Sequence, residues 1–429
     1  MRYSVDGSWQ RFAGVVLAGS PLRMFRLTPG GAAVADRIEA GDEVTDSVLT
    51  ERLSDAGAIH PVPTIDRQPR FMLDDVTVVT PQLGGTVHDD GRITVDDGSV
   101  PSLSGAAVRL DTNRGPAAAR NTARPLIGTP LVAFLDADVS TPDSAWLAGL
   151  LWHFDDPRVG LVAPRVQGES GSPLDLGDQP ARVRAGTRVS YVPAAALVVR
   201  VDALDAIGGF DEQLRFGEDV DLVWRLDDAG WRCRYDPSVV VWHEPRTSWH
   251  ARLRQHAGYG TSAAPLAMRH PRALSPVNVN GWTAATWTLA LLGRSVPAVA
   301  LGAGSSAALV RKLPDVPSRS AMWLAVRGHL LAGQQFASAA RRVWWPILLA
   351  GAVVSRRCRW LLLLALASNV KAAPTDLAYG WGVWTGMRRL RTWAPIIPRL
   401  GSWPGRQPPL TPMVGYIGLR RPRPTSSSR

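Results

Sequence analysis

The sequence predicts an α/β protein built on a mostly parallel sheet with flanking helices. Three observations carry this. Between residues 71 and 250, short apolar runs alternate with helical segments, the pattern of βαβ units. Several of these runs end abruptly in carboxylates or a histidine, as strands do at a ligand-binding rim. From residue 251 onward the character changes, to longer apolar stretches rich in Trp, Leu and Ala that read as helical.

Residues 1–70 are predicted to form a small separate unit. Gly14-Val15-Val16-Leu17-Ala18 leads into a turn at Gly19–Pro21 and then Phe25-Arg26-Leu27-Thr28, a hairpin pattern. Amphipathic helices are expected near 30–38 and 46–56. The stretch from Pro61 to Pro69 reads as a linker. In residues 71–250 the predicted strands are Val76–Val79, Ile93–Val95, Val108–Leu110, Leu131–Leu135, Val159–Ala163, Ala195–Val199 and Val239–Val241. A helix is expected to start at Thr141-Pro142, with Thr as N-cap and Pro in the first turn. A second begins at Glu218 and ends at Gly230. In residues 251–429, the apolar stretches 282–303 and 343–369 are interrupted by Arg294 and by Ser355-Arg356-Arg357-Cys358-Arg359. Neither offers the roughly 20 uninterrupted apolar residues of a clean membrane span. Arginines beside Trp344, Trp345 and Trp360 fit an interfacial helix or a tilted span, with a buried helical subdomain as the alternative. The tail after Gly401 reads as disordered.

Bulk properties narrow the function. The 429 residues carry a net charge of +11, almost wholly arginine, since Lys312 and Lys371 are the only lysines. That balance suits a phosphorylated substrate or an anionic membrane, or reflects a GC-rich genome. The arginines form no aromatic-interleaved patch, so no nucleic-acid role is expected. Cys233 and Cys358 sit in unlike contexts and give neither a disulfide framework nor a cysteine zinc site. No apolar signal segment follows Met1.

Four motifs carry chemistry. Leu131-Val132-Ala133-Phe134-Leu135 reads as a strand buried on both faces, followed by Asp136-Ala137-Asp138. Strand alternation would turn both carboxylates to one side, where they need a cation; oxygen ligands suit Mg2+ or Mn2+. An Asp-rich helix cap is the plainer alternative. Ile93-Thr94-Val95 leads to Asp96-Asp97-Gly98-Ser99, where Asp97 is placed to accept from a base N–H or a ribose hydroxyl, or else to form an Asx turn. Gly208-Gly209-Phe210-Asp211-Glu212 precedes Gly217-Glu218-Asp219 at a helix start. There the carboxylates either complement the helix dipole or serve as a general base. Val239-Val240-Val241-Trp242 ends in His243, a structural histidine or an extra Mn2+ ligand.

In this order the motifs, together with Asn113-Arg114-Gly115-Pro116 and Arg120-Asn121, resemble the family-2 glycosyltransferases over about residues 75–250. The resemblance implies a GT-A fold and an inverting transfer from a nucleotide sugar. It implies that Asp97, Asn113, Gly115, Arg120, Asn121 and Asp136 bind the nucleotide sugar. It further implies that Asp138, Asp136 and His243 hold the metal, and that Asp219, with Glu218 beside it, is the base. UDP-glucose is the donor implied. Residues 1–70 resemble winged-helix-like peptide-recognition domains of peptide-maturation systems. The whole layout of 1–70, 71–250 and 251–429 is similar to the mycofactocin-system branch of the family in actinobacteria. That implies a peptide-derived acceptor, and a place at the cytoplasmic face of the cell membrane, peripheral or integral through the C-terminal region. Two alternatives stand beside it: a membrane-linked cell-wall or polysaccharide glycosyltransferase, and a degenerate non-catalytic nucleotide-sugar-binding protein. The second is prompted by one departure. Only Thr80–Arg92 separates the first two predicted strands, without a helical pattern, and Pro81-Gln82-Leu83 replaces the usual Pro-x-Arg. The nucleoside side of the pocket is therefore expected to be incomplete.

Overall fold

The computed structural model describes all residues except 64–67, 89, 142–143, 169–171, 245–247, 272 and 402–429. The chain forms two compact units, Met1–Ser275 with Ser338–Ile397, and Pro276–Ala337 with Pro398–Arg429.

The first unit opens with β1 (Arg2–Val5), β2 (Gln10–Phe12), β3 (Val15–Ala18), β4 (Arg23–Arg26), α1 (Pro29–Glu39), α2 (Val48–Asp55) and β5 (Ile59–Val62). β2, β3 and β4 make an antiparallel sheet, and β1 pairs antiparallel with β5. The Gly19–Pro21 turn and both helices fall where the sequence places them. Thr28 caps α1 through Gly31 N–H, and Ser47 and Thr50 form a reciprocal box on α2. Val16, Phe25, Ile38, Leu53 and Ile59 give this region its own core.

The central sheet has nine strands: β6 (Val76–Gln82), β7 (Ile93–Asp96), β8 (Val108–Arg109), β9 (Leu131–Leu135), β10 (Val139–Ser140), β11 (Val159–Gln167), β12 (Ala181–Val183), β13 (Ala196–Arg200) and β14 (Arg232–His243). The order is β10-β14-β11-β13-β9-β6-β7-β8, with β12 on β14. β6, β7, β8, β9, β11 and β14 run one way; β13 is inserted antiparallel between β9 and β11. Along β9 the alternation is complete. Val132 and Phe134 enter one apolar layer, and Leu131, Ala133 and Leu135 the other. Helices α3 (Pro116–Thr122), α4 (Ala145–Leu151), α5 (Val201–Ala206) and α6 (Glu218–Asp228) flank the sheet. Of the helix expected from Thr141-Pro142, Pro142 lies outside the described residues. The helix described there starts at Ala145, after Ser144.

α7 (Trp249–Thr261) and α8 (Ala263–Arg269) follow the sheet. The second unit holds β15 (Asn278–Asn280), α9 (Gly281–Leu291) and α10 (Ser295–Lys312), with a short parallel pairing to the later strand at Arg399–Gly401. The long α11 (Ser318–Ala339) ends at a π-helical turn, Ala340–Trp344, which leads back in the first unit to α12 (Trp345–Val354), α13 (Arg356–Ala367) and α14 (Ala373–Leu390). The apolar stretches are thus helices broken at the arginines. Among the described residues no helix is long and apolar enough to cross a membrane. The tail after Gly401 lies outside the described residues.

Candidate active site

Because β6, β7, β9 and β14 are all parallel, their carboxyl ends meet on one rim. This is where open α/β sheets bind ligands. A cavity of 590 Å³ lies there, lined by Gln82, Asp97, Asn113, Gly115, Asp136 and Asp138 among others.

Asp136 and Asp138 reach it by a route different from the one the sequence suggests. β9 stops at Leu135, and residues 136–138 form a turn closed by Val139 N–H donating to the Asp136 carbonyl at 3.1 Å. A tight turn, not strand alternation, brings both carboxylates to the cavity. The turn also positions His243. β10 follows it directly and pairs antiparallel with the end of β14, Val139 opposite His243. The His243 Nε2 consequently lies 3.3 Å from Asp138 Oδ2. Among the described residues no group of three or more His, Cys, Asp or Glu side chains could hold a metal. Asp138 at the edge of the cavity, with His243 beside it, nonetheless offers donors of the kind that Mg2+ or Mn2+ takes, and would leave the rest of the shell to water and substrate phosphates.

Asp96 and Asp97 divide their labour. Asp96, fully buried, accepts from Ser99 N–H, Leu103 N–H and the Arg109 guanidinium, and so fastens the loop after β7. Burial alone would raise its carboxyl, but these donors hold it below the usual range. Asp97 accepts from the backbone N–H groups of Arg114 and Gly115 at 2.7 and 2.8 Å, which brings the 113–116 segment to the cavity wall. The Asn113 side chain accepts from Arg215.

Arg120 and Asn121 are not where the resemblance puts them. Arg120 is 2% exposed and lies behind the cavity rather than lining it. Its guanidinium donates to Asp136 at 2.7 Å and to Glu218 at 3.1 Å, beneath the Phe210 ring. The Asn121 amide is used up by the glycine loop: it donates to the Phe210 carbonyl and to Glu212, and accepts from Phe210 N–H. Gly209, at φ +76°, is required here, since a Cβ would stand 2.7 Å from Asn121 Oδ1. Asn121, expected on the nucleotide side, therefore clamps the 209–212 loop.

Glu218 and Asp219 begin α6, where Gly217 takes the left-handed conformation. Burial pushes Glu218 up, with Arg120 opposing. Burial and then the Glu218 charge push Asp219 up to about 7, against backbone donors from Val220 and Ala194. A carboxyl titrating near neutrality suits a general base. Behind it, Asp221 is 1% exposed and accepts from His270 at 2.8 Å and from Arg225 at 2.6 Å, so the first turn of α6 is fixed from below.

Among its described residues the crossover from β6 to β7 forms no helix, and it lines the cavity. Gln82 Nε2 donates to the carbonyls of Gly84 and Thr86 at 3.0 and 2.8 Å, and Gly84 N–H donates to Ser99 Oγ. Folded in this way, residues 81–86 and His88 form one wall of the cavity. The segment expected to leave the nucleoside side incomplete thus lines the cavity. Sequence reasoning also missed Arg215, the one guanidinium among the described cavity-lining residues, and His270. Arg215 had a signal: a basic residue between the two glycine-acid motifs.

Fold and site together define a glycosyltransferase. Residues 102–258 match the family model described as glycosyltransferase like family 2. The chain is 37% identical to the pre-mycofactocin glycosyltransferase of Mycobacterium tuberculosis H37Rv, over 90% of this chain and 94% of that protein. It belongs, with that enzyme, to the family-2 glycosyltransferases. A second relative from the same organism, N-acetylglucosaminyl-diphospho-decaprenol L-rhamnosyltransferase, is 29% identical over 35% of this chain. Among solved structures, a mannosyltransferase from Pyrobaculum calidifontis in complex with GDP-Man and Mn2+ aligns with TM-score 0.43 and 18% identity, covering 76% of this chain and 89% of that one.

Proposed function

We propose that this glycosyltransferase is inverting and divalent-metal-dependent, and that it moves glucose from UDP-glucose to a hydroxyl of a peptide-derived cofactor precursor, pre-mycofactocin. The observation that carries the acceptor is the 37% identity running through 94% of an enzyme named for it.

The donor occupies the cavity beside β6, β7 and β9, its nucleoside against Asp97 and the 81–86 loop and its diphosphate near Arg215 and Asp138. Asp138 and His243, with Asp136 adjacent, would hold Mg2+ or Mn2+, which would supply charge neutralisation for the departing diphosphate. Asp219 takes the proton of the acceptor hydroxyl as that oxygen attacks the anomeric carbon. One base and one displacement invert that carbon. Arg120 ties the metal-side Asp136 to the base-side Glu218 and keeps the two halves in register. Residues 1–70, with their own core, serve as the peptide-recognition module, residues 71–250 as the GT-A domain and residues 251–429 as a helical accessory region.

The test is incubation with pre-mycofactocin, UDP-glucose and Mn2+, read by mass spectrometry. A hexose added by wild type and not by Asp138→Ala supports the reading. Failure of wild type to modify this acceptor, while it still releases UDP, would move the assignment to a glycan or lipid acceptor.

A further inference from the structure

Among the described residues that line the donor cavity, neither Glu218 nor Asp219 appears. A hydroxyl that displaces the diphosphate from the opposite face must therefore reach Asp219 from another side. Three stretches of chain meet there.

The first is the loop before β13. It is pinned to α6 at two points: Trp224 Nε1 donates to the Ser190 carbonyl at 2.8 Å, and Ala194 N–H donates to the Asp219 carboxylate. Tyr191 lies between these points and is 36% exposed. Partial burial pushes its phenol up, Asp219 and then Tyr379 push it further, and the Arg342 guanidinium opposes them. All three groups thus act on Tyr191. The second stretch is α7. Its Tyr259 meets the Phe216 ring edge-on at 5.8 Å, two residues before Glu218, and a side chain on Gly258 would stand 2.6 Å from the same ring.

The third is the segment that ends in α14. A side chain on Gly260 would run into the Tyr379 carbonyl, and one on Gly382 into the Ala257 carbonyl. Only glycines permit so close a crossing, and it fixes Tyr379 against the end of α7. Arg342 stacks over the Tyr379 ring at 4.4 Å. Its carboxylate partner, Asp376 at 3.5 Å, is already held by Arg341 at 2.7 Å. One carboxylate thus serves two guanidiniums, which leaves a positive charge over. A cluster serving packing alone would bury its rings and balance its charge. This one keeps 45% of the Arg342 side chain and over a third of Tyr191 open. The match to the family model ends at residue 258. Tyr259, Arg342 and Tyr379 lie beyond it, where members of the family can differ in the acceptor they choose.

We propose that Tyr191, Tyr259, Tyr379 and Arg342 form the acceptor subsite. It takes an acceptor with a flat ring that packs on the phenols and a carbonyl or carboxylate oxygen that Arg342 binds, and so presents the acceptor hydroxyl to Asp219. Aromatic rings supply large, rigid apolar contact, and a guanidinium binds oxygen acceptors strongly. The subsite rests on Asp219 as the base and on the peptide-derived acceptor proposed above; such a molecule carries carbonyl oxygens by its nature.

The test is initial rates of transfer with pre-mycofactocin and UDP-glucose, each varied at saturation of the other and read by mass spectrometry. Arg342→Gln and Tyr379→Leu should each raise the acceptor KM roughly tenfold, while the KM for UDP-glucose stays within about twofold of wild type and so reports an intact fold. Tyr379→Phe keeps the ring and should keep the wild-type acceptor KM. Wild type leaving pre-mycofactocin unmodified overturns the acceptor reading and this subsite with it. Transfer by wild type with an acceptor KM that neither Arg342→Gln nor Tyr379→Leu moves overturns the subsite alone. So does an equal rise in both KM values, which marks a structural role.

Discussion

Asp136 and Glu218 are held by the two ends of one guanidinium: Arg120 reaches the first at 2.7 Å and the second at 3.1 Å. One residue stands at the donor cavity, the other at the start of the base helix. Arg120 and Glu218 are almost fully removed from water, where removing one partner leaves uncompensated charge, while the Asp136 side chain keeps partial exposure. Replacing Arg120 with Met should cost about 3–5 kcal/mol of stability. It should also move the acidic limb of the kcat/KM profile upward, because the Arg120 charge pulls the Asp219 carboxyl down. Urea denaturation and a pH–rate profile check both. An Arg120→Met variant that is destabilised with an unchanged profile would show a role in folding alone.

Asp219 gives a prediction of opposite sign for activity and stability. Its carboxyl titrates near 7 in the folded chain, above its unfolded value of 3.8. Rate should fall as pH drops through about 7, since the base must be ionised. Stability behaves in reverse. The native state holds the proton more tightly, so the contribution is complete below the unfolded value and lost as pH rises through the folded one. Asp219→Asn should lower kcat by roughly 10²–10⁴-fold. At pH 8 it should raise Tm by roughly 1–2 °C, the shift expected for about 1 kcal/mol in a chain of this length. Calorimetry at pH 5.5 and pH 8 reads the difference, which should narrow at the lower pH and vanish only below the unfolded value of 3.8.

Much of this was legible in the residues, and the exceptions have physical causes. The β9 run is apolar on both faces, so strand, core and rim position follow from it. β14 was read only as Val239–Val241, although it runs from Arg232 to His243. Its first half is polar because the N-terminal region covers it. Arg232 pairs with Asp55, and Arg234 reaches Ser54. Buried charges with partners more than 170 residues distant leave no local strand pattern. The crossover after β6 looked deficient for a similar reason. Its wall is built from backbone carbonyls gathered by Gln82, and a single glutamine carries no motif. Asn121 sits in a motif, but its amide serves a loop 89 residues further on.

The Asp138–His243 pair predicts the metal dependence. With only these two side chains in close register at 3.3 Å, the ion should bind weakly without donor and tightly with it. EDTA should abolish transfer, and Mn2+ should restore it. Asp138→Asn should lower kcat/KM roughly 10²–10³-fold, in line with losing one group that stabilises developing charge. His243→Ala should chiefly raise the Mn2+ concentration needed for half-maximal rate. Titrating Mn2+ at fixed UDP-glucose separates the two. Equal Mn2+ requirements for His243→Ala and wild type would remove His243 from the coordination shell.

Gln82 tests whether the short crossover works as a donor wall. Its side chain is 5% exposed, and its amide nitrogen donates to two loop carbonyls. Two neutral hydrogen bonds contribute about 1–3 kcal/mol together. The loop they hold contains Gly84 and Gly85, both at positive φ, and has no helix to fall back on. Gln82→Ala should therefore release the wall rather than shift it. Donor KM should rise roughly tenfold, the equivalent of about 1.4 kcal/mol. The kcat at saturating donor should change little, because Asp138, Asp219 and Arg120 lie on other elements. Gln82→Glu keeps the shape but turns the donor into an acceptor facing two carbonyls, so it should behave like Ala or worse. Initial rates over a range of UDP-glucose concentrations decide this. A fall in kcat at constant KM would place the crossover in the chemistry instead of in donor binding.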